Sequence, residues 1–214
     1  MQNAKFDVTG IGNAIVDVLA QADDALLEKH GLPKGAMNLI DAETADRLYS
    51  VMGPGIEASG GSAANTIAGI AALGGKTAYI GKVAQDQLGD VFTHDLRAVG
   101  VTYDTSRLVG GLPTARSLIF VTPDAQRTMQ TFLGATSQLG AEAATVASTV
   151  TGDSQLASKL PDSLRTDLSQ LASAPAADRT ADVQHIATSA LSGGYGAQVQ
   201  QVADQIESAL TAAR

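Results

Sequence analysis

The 214-residue chain contains no cysteine. Disulfides, thiolate chemistry and Cys-ligated zinc are therefore excluded. Basic residues are in the minority, with 14 Lys and Arg against 22 Asp and Glu and a formal charge of −8. A sequence-independent nucleic-acid binder would show a basic face, so no nucleic-acid partner is expected. Small anionic ligands stay open, because local fields outweigh net charge inside a cleft. No apolar run approaches the length of a membrane span. Residues 1–20 lack the basic start and continuous apolar core of a signal peptide, since Asp7, Asn13 and Asp17 interrupt them. A cytoplasmic protein without membrane attachment is the expectation. His30, His94 and His185 are scattered with no metal-ligand spacing, so no metal site is predicted.

Aromatic residues are scarce at 4% and unevenly placed. All Phe and Met, and every Tyr except Tyr195, lie before residue 133; beyond about Leu139 the chain is mostly Ala, Ser, Thr, Gln and Asp. We therefore place a boundary near Gly134–Gly140, with one domain over 1–138 and an Ala/Ser/Gln-rich helical tail over 139–214. In the first part strand-like and helix-like stretches alternate: extended pieces at Phe6–Gly12, Ile15–Ala20, Met37–Ile40 and Thr77–Val83, and helices over Asp24–His30, Ala42–Met52, Ser62–Leu73 and Asp86–Val99. The third of these helices is apolar nearly all round and should be buried. Ala115–Thr122 and Arg127–Leu133 bracket a turn at Pro123-Asp124-Ala125-Gln126 and read as a hairpin. Alternation of this kind predicts an α/β three-layer fold with a mainly parallel sheet and a small antiparallel addition. In the tail, Leu164, Leu168 and Leu171 form one helical stripe, Val183, Ile186, Ala187 and Ala190 a second, and Val199, Val202, Ile206 and Leu210 a third. Each stripe is thin and needs a partner surface.

The most informative run is Gly60-Gly61-Ser62-Ala63-Ala64-Asn65, which opens the apolar helix. Adjacent glycines let backbone approach a ligand closely. The helix start offers unpaired N–H groups, with Ser62 as the expected N-cap. The Asn65 amide can both donate to and accept from a hydroxyl. Gly10-x-Gly12 follows a strand, but the third glycine of a dinucleotide loop is absent. Asp86 reads as a helix cap.

Three segments, Gly10-Ile-Gly-Asn13-Ala-Ile-Val-Asp17, Gly60-Gly61-Ser-Ala-Ala-Asn65 and Gly81-Lys-Val-Ala-Gln-Asp86-Gln-Leu-Gly89, resemble the PfkB (ribokinase-like) carbohydrate kinases in order and spacing. Gly-Asn-Ala-Ile-Val-Asp, together with Gln126-Arg127-Thr128-Met129 and Leu133-Gly134-Ala135, resembles the adenosine-kinase-like branch. The resemblance covers residues 4–138. It implies transfer of the ATP γ-phosphoryl, with Mg2+, to a hydroxyl of a sugar or nucleoside, and a small-molecule partner of that class. It further implies that Asp17 accepts hydrogen bonds from two ribose-type hydroxyls, as an ionised carboxylate can. Asn13, Asn65 and the segment Gly60, Gly61 and Ser62 would complete the cradle, the hairpin would act as a lid, and Arg127 would meet phosphate. Homodimerisation through the lid is compatible with the family.

The sequence departs from the family in its second half. Neither the Asn-x-x-Glu motif for metal and phosphate nor the Gly-Ala-Gly-Asp motif that carries the catalytic base occurs, so no catalytic residue is assigned. Phosphoryl transfer needs metal, base and charge stabilisation together. Three readings follow: an incomplete kinase holding the substrate-recognition half, a non-catalytic binding or interaction protein, and a truncated or fused chain. Read without the resemblance, Asp17 is an edge-strand carboxylate and Arg127 a solvent-facing hairpin residue.

Overall fold

The computed structural model describes residues 5–189 except 153, 159, 176, 180, 183, 184, 187 and 188. The chain divides into two units, Met1–Ser137 and Gln138–Arg214.

In the first unit, aspartates start three of the helices. Asp23 accepts from Leu26 N–H at the head of α1 (Asp24–Lys29) and Asp41 from Thr44 N–H at the head of α2 (Ala42–Val51). Asp86 accepts from Gly89 N–H at the head of α4 (Gln87–Ala98). Each satisfies a donor that the helix cannot reach, a contribution of about 1 kcal/mol. The fourth helix, α3 (Ser62–Ala72), has Gly61 as its N-cap and no side-chain cap bond. The expectation that Ser62 would cap is thereby corrected: Ser62 is already the first helical residue.

Two sheets form where one with a small addition was expected. A parallel sheet has the order β1-β5-β6, from β1 (Val8–Ile11), β5 (Thr77–Ile80) and β6 (Thr102–Tyr103). A larger mixed sheet has the order β3-β8-β7-β2-β4, from β3 (Met37–Leu39), β8 (Arg127–Phe132), β7 (Ala115–Val121), β2 (Ile15–Gln21) and β4 (Gly55–Gly60). The hairpin is real, since β7 and β8 pair antiparallel. It joins β2, the second of the expected extended pieces, and through it β4, which was not expected at all. β4 reads Gly-Ile-Glu-Ala-Ser-Gly and follows Gly-Pro, so neither β-propensity nor hydrophobicity announces it.

Two cores match the two sheets. Tyr79, Phe92 and Tyr103 meet with ring centroids 5.4 to 6.1 Å apart and pack with Val16, Ile67 and Leu96 between the parallel sheet and helices α3 and α4. Val18, Leu27, Leu48, Leu118 and Phe120 fill the space between the mixed sheet and helices α1 and α2. Burying each such side chain stabilises the fold by about 1.5–3 kcal/mol. Only Ala64 and Ile67 of α3 are buried, and Ser62, Asn65, Thr66 and Gly69 are exposed. The expected all-round burial of this helix is therefore wrong: alanine is small enough to sit on any face, so its abundance carried no information about direction.

The second unit has α5 (Gly140–Gly152), α6 (Ser154–Ala157) and α7 (Asp162–Ser173). Ala143, Ala144 and Ala147 of α5 bury against Leu171, with Leu168 and Ile186 beside them. The stripe over Val199–Leu210 and most of the stripe around Ile186 lie outside the described residues. No described helix is long and apolar enough to cross a membrane.

Candidate active site

Asp17 sits in mid-strand on β2. Alternation sends Val16 and Val18 into the cores and leaves Asp17 on the opposite face. Its register partners are Ala58 on β4 and Ser117 on β7, and Ser117 in turn faces Thr131 on β8. The Ser117 and Thr131 hydroxyls lie 2.9 Å apart and are buried. Asp17, Ser117 and Thr131 thus form a polar row across the sheet. Met37 and Leu39 on β3 and Ile56 on β4 share that face by register and are 56%, 64% and 71% exposed.

The glycine elbow is shaped around this row. A Cβ on Gly60 would overlap the Asp17 carboxyl group, so the carboxylate lies directly over the Gly60 backbone. Gly61 has φ +91, and a Cβ there would stand 2.6 Å from the Asn13 carbonyl oxygen; glycine is required on both counts. The Gly61 carbonyl accepts from Asn65 N–H at 2.9 Å, which fixes Asn65 on the first turn of α3. Asn13 is held from another direction. Its Oδ1 accepts from Thr136 Oγ1 at 3.2 Å, and the same hydroxyl oxygen accepts from Ala14 N–H at 3.1 Å.

Burial pushes the Asp17 carboxyl up from the ordinary 3.8 to about 6, while the positive charge of Arg127 pulls the other way. Arg127 opens β8, in the same alternation as Met129 and Thr131, and so belongs to the Asp17 face. Among the described residues no hydrogen bond reaches the Asp17 carboxylate. Asp17 is half-buried rather than sealed in the core, so its charge is partly desolvated while its oxygens stay accessible. Such a group can accept from a pair of hydroxyls.

Of the residues singled out from sequence, the structure brings Asp17 against Gly60, Asn13 against Gly61, and Asn65 onto the elbow by its backbone, with Arg127 at electrostatic range. Ser62 is exposed on the first helical turn. Three residues on or behind this surface were missed: Ser117, Thr131 and Thr136. Thr136 could have been noticed, since it directly follows the Gly134-Ala135 pair. Ser117 and Thr131 carry no sequence signal, because only strand register aligns them with Asp17. Among the described residues no group of three or more His, Cys, Asp or Glu could hold a metal ion. A cavity of 290 Å3 lined by Val18, Tyr49, Met52 and Glu57 opens on the face of the sheet away from Asp17.

Comparison with known proteins identifies the family. A sequence profile of the pfkB family carbohydrate kinases matches residues 57–207. The chain belongs to that family. The match includes the glycine elbow and runs on into the second unit. Adenosine kinase from Sinorhizobium meliloti is 60% identical with a TM-score of 0.62, over 67% of this chain and 45% of that one. A probable sugar kinase from Rhizobium etli CFN 42 is 58% identical with a TM-score of 0.61, over 67% and 44%. The 5-dehydro-2-deoxygluconokinase of Lacticaseibacillus casei is 36% identical over 105 residues, 49% of this chain and 25% of that protein. The chain therefore spans less than half the length of these pfkB-family relatives. Its α/β architecture is the ribokinase-like fold of its structural neighbours.

Proposed function

We propose that this chain recognises the ribosyl part of an adenosine-like nucleoside, as the substrate-binding portion of a kinase that transfers the ATP γ-phosphoryl to a ribosyl hydroxyl. The observation that carries the reading is the Asp17 carboxylate, desolvated and without a hydrogen-bond donor among the described residues, resting on the Gly60–Gly61 elbow. Asp17 accepts from two vicinal hydroxyls, which replace the water lost on burial. Asn13 and Asn65 flank the sugar, and Ser62 lies at the head of the same helix. The exposed Met37, Leu39 and Ile56 give a nucleobase an apolar surface on the same face. Arg127 adds positive charge where a phosphorylated product would form. When bound, ATP with Mg2+ supplies the phosphoryl group. The described residues offer no cluster to hold the metal, and the sequence contains no Gly-Ala-Gly-Asp motif, so no transfer step is assigned to them.

Titration calorimetry with adenosine and with ribose tests the reading. Saturable binding at pH 7.5 is expected, with at least about tenfold loss in Asp17→Asn, as follows from hydrogen bonds to a charged acceptor. Because the carboxylate titrates near 6, affinity should fall by about tenfold between pH 7.5 and 5. Absence of saturable heat with millimolar ligand, or an Asp17→Asn variant that binds as well as the parent, refutes it.

A further inference from the structure

Lys34 lies between α1 and β3. Its Nζ is 2.7 Å from Asp24 Oδ1 and 2.8 Å from Asp124 Oδ2. Asp24 is the first residue of α1, and Asp124 sits in the turn joining β7 to β8. The second Asp124 oxygen accepts from Thr122 Oγ1 at 2.6 Å. One ammonium thus ties a helix to the tip of the hairpin. Just beyond it, Gly35 N–H donates to Thr128 Oγ1 at 2.9 Å, and Met129 N–H donates to the Ala36 carbonyl at 2.9 Å. Arg127 falls between the two ties.

The turn that the tie reaches contains one locally unfavourable residue. Ala125 has φ +64, the left-handed region, and among the described residues it is the sole non-glycine residue there. An L-residue in that region is locally unfavourable; the turn offsets this with its own bonds, Thr122 N–H to the Gln126 carbonyl at 3.0 Å and Ala125 N–H to the Thr122 carbonyl at 2.8 Å, and the Lys34 tie is added to these from outside. Asp124 is drawn down to about 2, with Lys34 as the foremost cause, and Lys34 is raised by Asp124 and Asp24.

We propose that Lys34 is a positioning residue: by clamping Asp24 and Asp124 it holds the β7–β8 turn, and Arg127 with it, in the place from which the guanidinium acts on the Asp17 face. The inference rests on the proposed substrate site for what Arg127 is held there to do; the clamp itself is read from its own contacts.

Nuclear magnetic resonance titration of the Asp17 carboxyl in the full chain is the test, comparing the parent with Arg127→Met, Lys34→Met, Asp124→Asn and Lys34→Arg. Arg127→Met removes the opposing charge and should raise the Asp17 midpoint by about half a pH unit. Lys34→Met and Asp124→Asn, which break the clamp from either end, should each move it most of the way to the Arg127→Met value. Lys34→Arg should leave it at the parent value. A midpoint unchanged in both Lys34→Met and Asp124→Asn overturns the proposal, as does an unchanged midpoint in Arg127→Met, since nothing would then need positioning. Adenosine calorimetry run alongside separates the two readings: failure of the parent to bind adenosine removes the substrate assignment, while the titration still decides the clamp.

Discussion

Replacing Asp17 by Asn should make the folded chain more stable at neutral pH, although it removes the group on which binding is proposed to depend. The folded state holds the Asp17 proton up to about pH 6, against an ordinary value of 3.8. At 1.36 kcal/mol per pH unit, the gap between these values corresponds to about 3 kcal/mol of strain against the ionised form. Asn carries its own desolvation cost, so the expected gain is smaller, about 1–2 kcal/mol. The pH dependence fixes the sign. Below about pH 4 both states are protonated and the penalty vanishes; it grows between about 4 and 6 and is complete above 6, where the folded protein must hold an ionised carboxylate that the unfolded chain solvates freely. Urea unfolding of parent and variant at pH 4, 5, 6 and 7.5, followed through the near-ultraviolet signal of the buried Tyr79 and Tyr103, measures the difference. It should rise from near zero at pH 4 to its full value at pH 7.5. A carboxylate governed by Arg127 rather than by burial would give the opposite slope. A difference independent of pH, or an Asp17→Asn variant less stable than the parent at pH 7.5, refutes burial as the dominant influence.

Gly60→Ala drives a methyl group into the Asp17 carboxyl. It should weaken adenosine binding at least about tenfold and cost about 1–3 kcal/mol of stability by overpacking, readable by calorimetry and urea titration on the same sample. Thr136→Val leaves Ala14 N–H buried without its acceptor and Asn13 Oδ1 without its donor. A loss of about 1–3 kcal/mol is expected, and Thr136→Ser, which keeps the hydroxyl, should recover most of it; equal loss in both variants would mean that the methyl group matters and the hydrogen bonds do not.

What could be read directly from the sequence was what local chemistry controls. The starts of α2 and α4 were legible because Asp41 and Asp86 cap them. The hairpin was legible because Pro-Asp-Ala-Gln separates two strand-like runs. The helix after Gly61 was legible, but not its buried face, since an alanine-rich stretch gives little amphipathic contrast. β4 was invisible because its pairing partner β2 lies some forty residues earlier, and long-range pairing overrides weak local preference. The same reasoning explains the site. Gly60 and Gly61 were singled out as letting backbone approach a ligand, whereas the structure shows them approached by the chain's own Asp17 carboxyl and Asn13 carbonyl. Ser117 and Thr131 could not be found, because a polar residue in a strand acquires meaning only when register puts it across from another.

An aspartate in the middle of a β-strand, flanked by valines that both enter a core, contradicts the preference of that position. The surrounding structure does little to relieve it: Arg127 acts at a distance, and the described residues donate no hydrogen bond. A fold selected for stability alone would replace this residue or pair it. Departures of this kind, in which local rules fail without compensation inside the fold, are where function is expected. On the proposed reading the compensation is a pair of hydroxyl donors for this anionic acceptor, in a place where a Cβ at position 60 would take the space. A ligand that supplies those donors stabilises the ionised form and must lower the Asp17 pKa on binding. Between that lowered value and about pH 6, binding of the proposed nucleoside should therefore expel a proton.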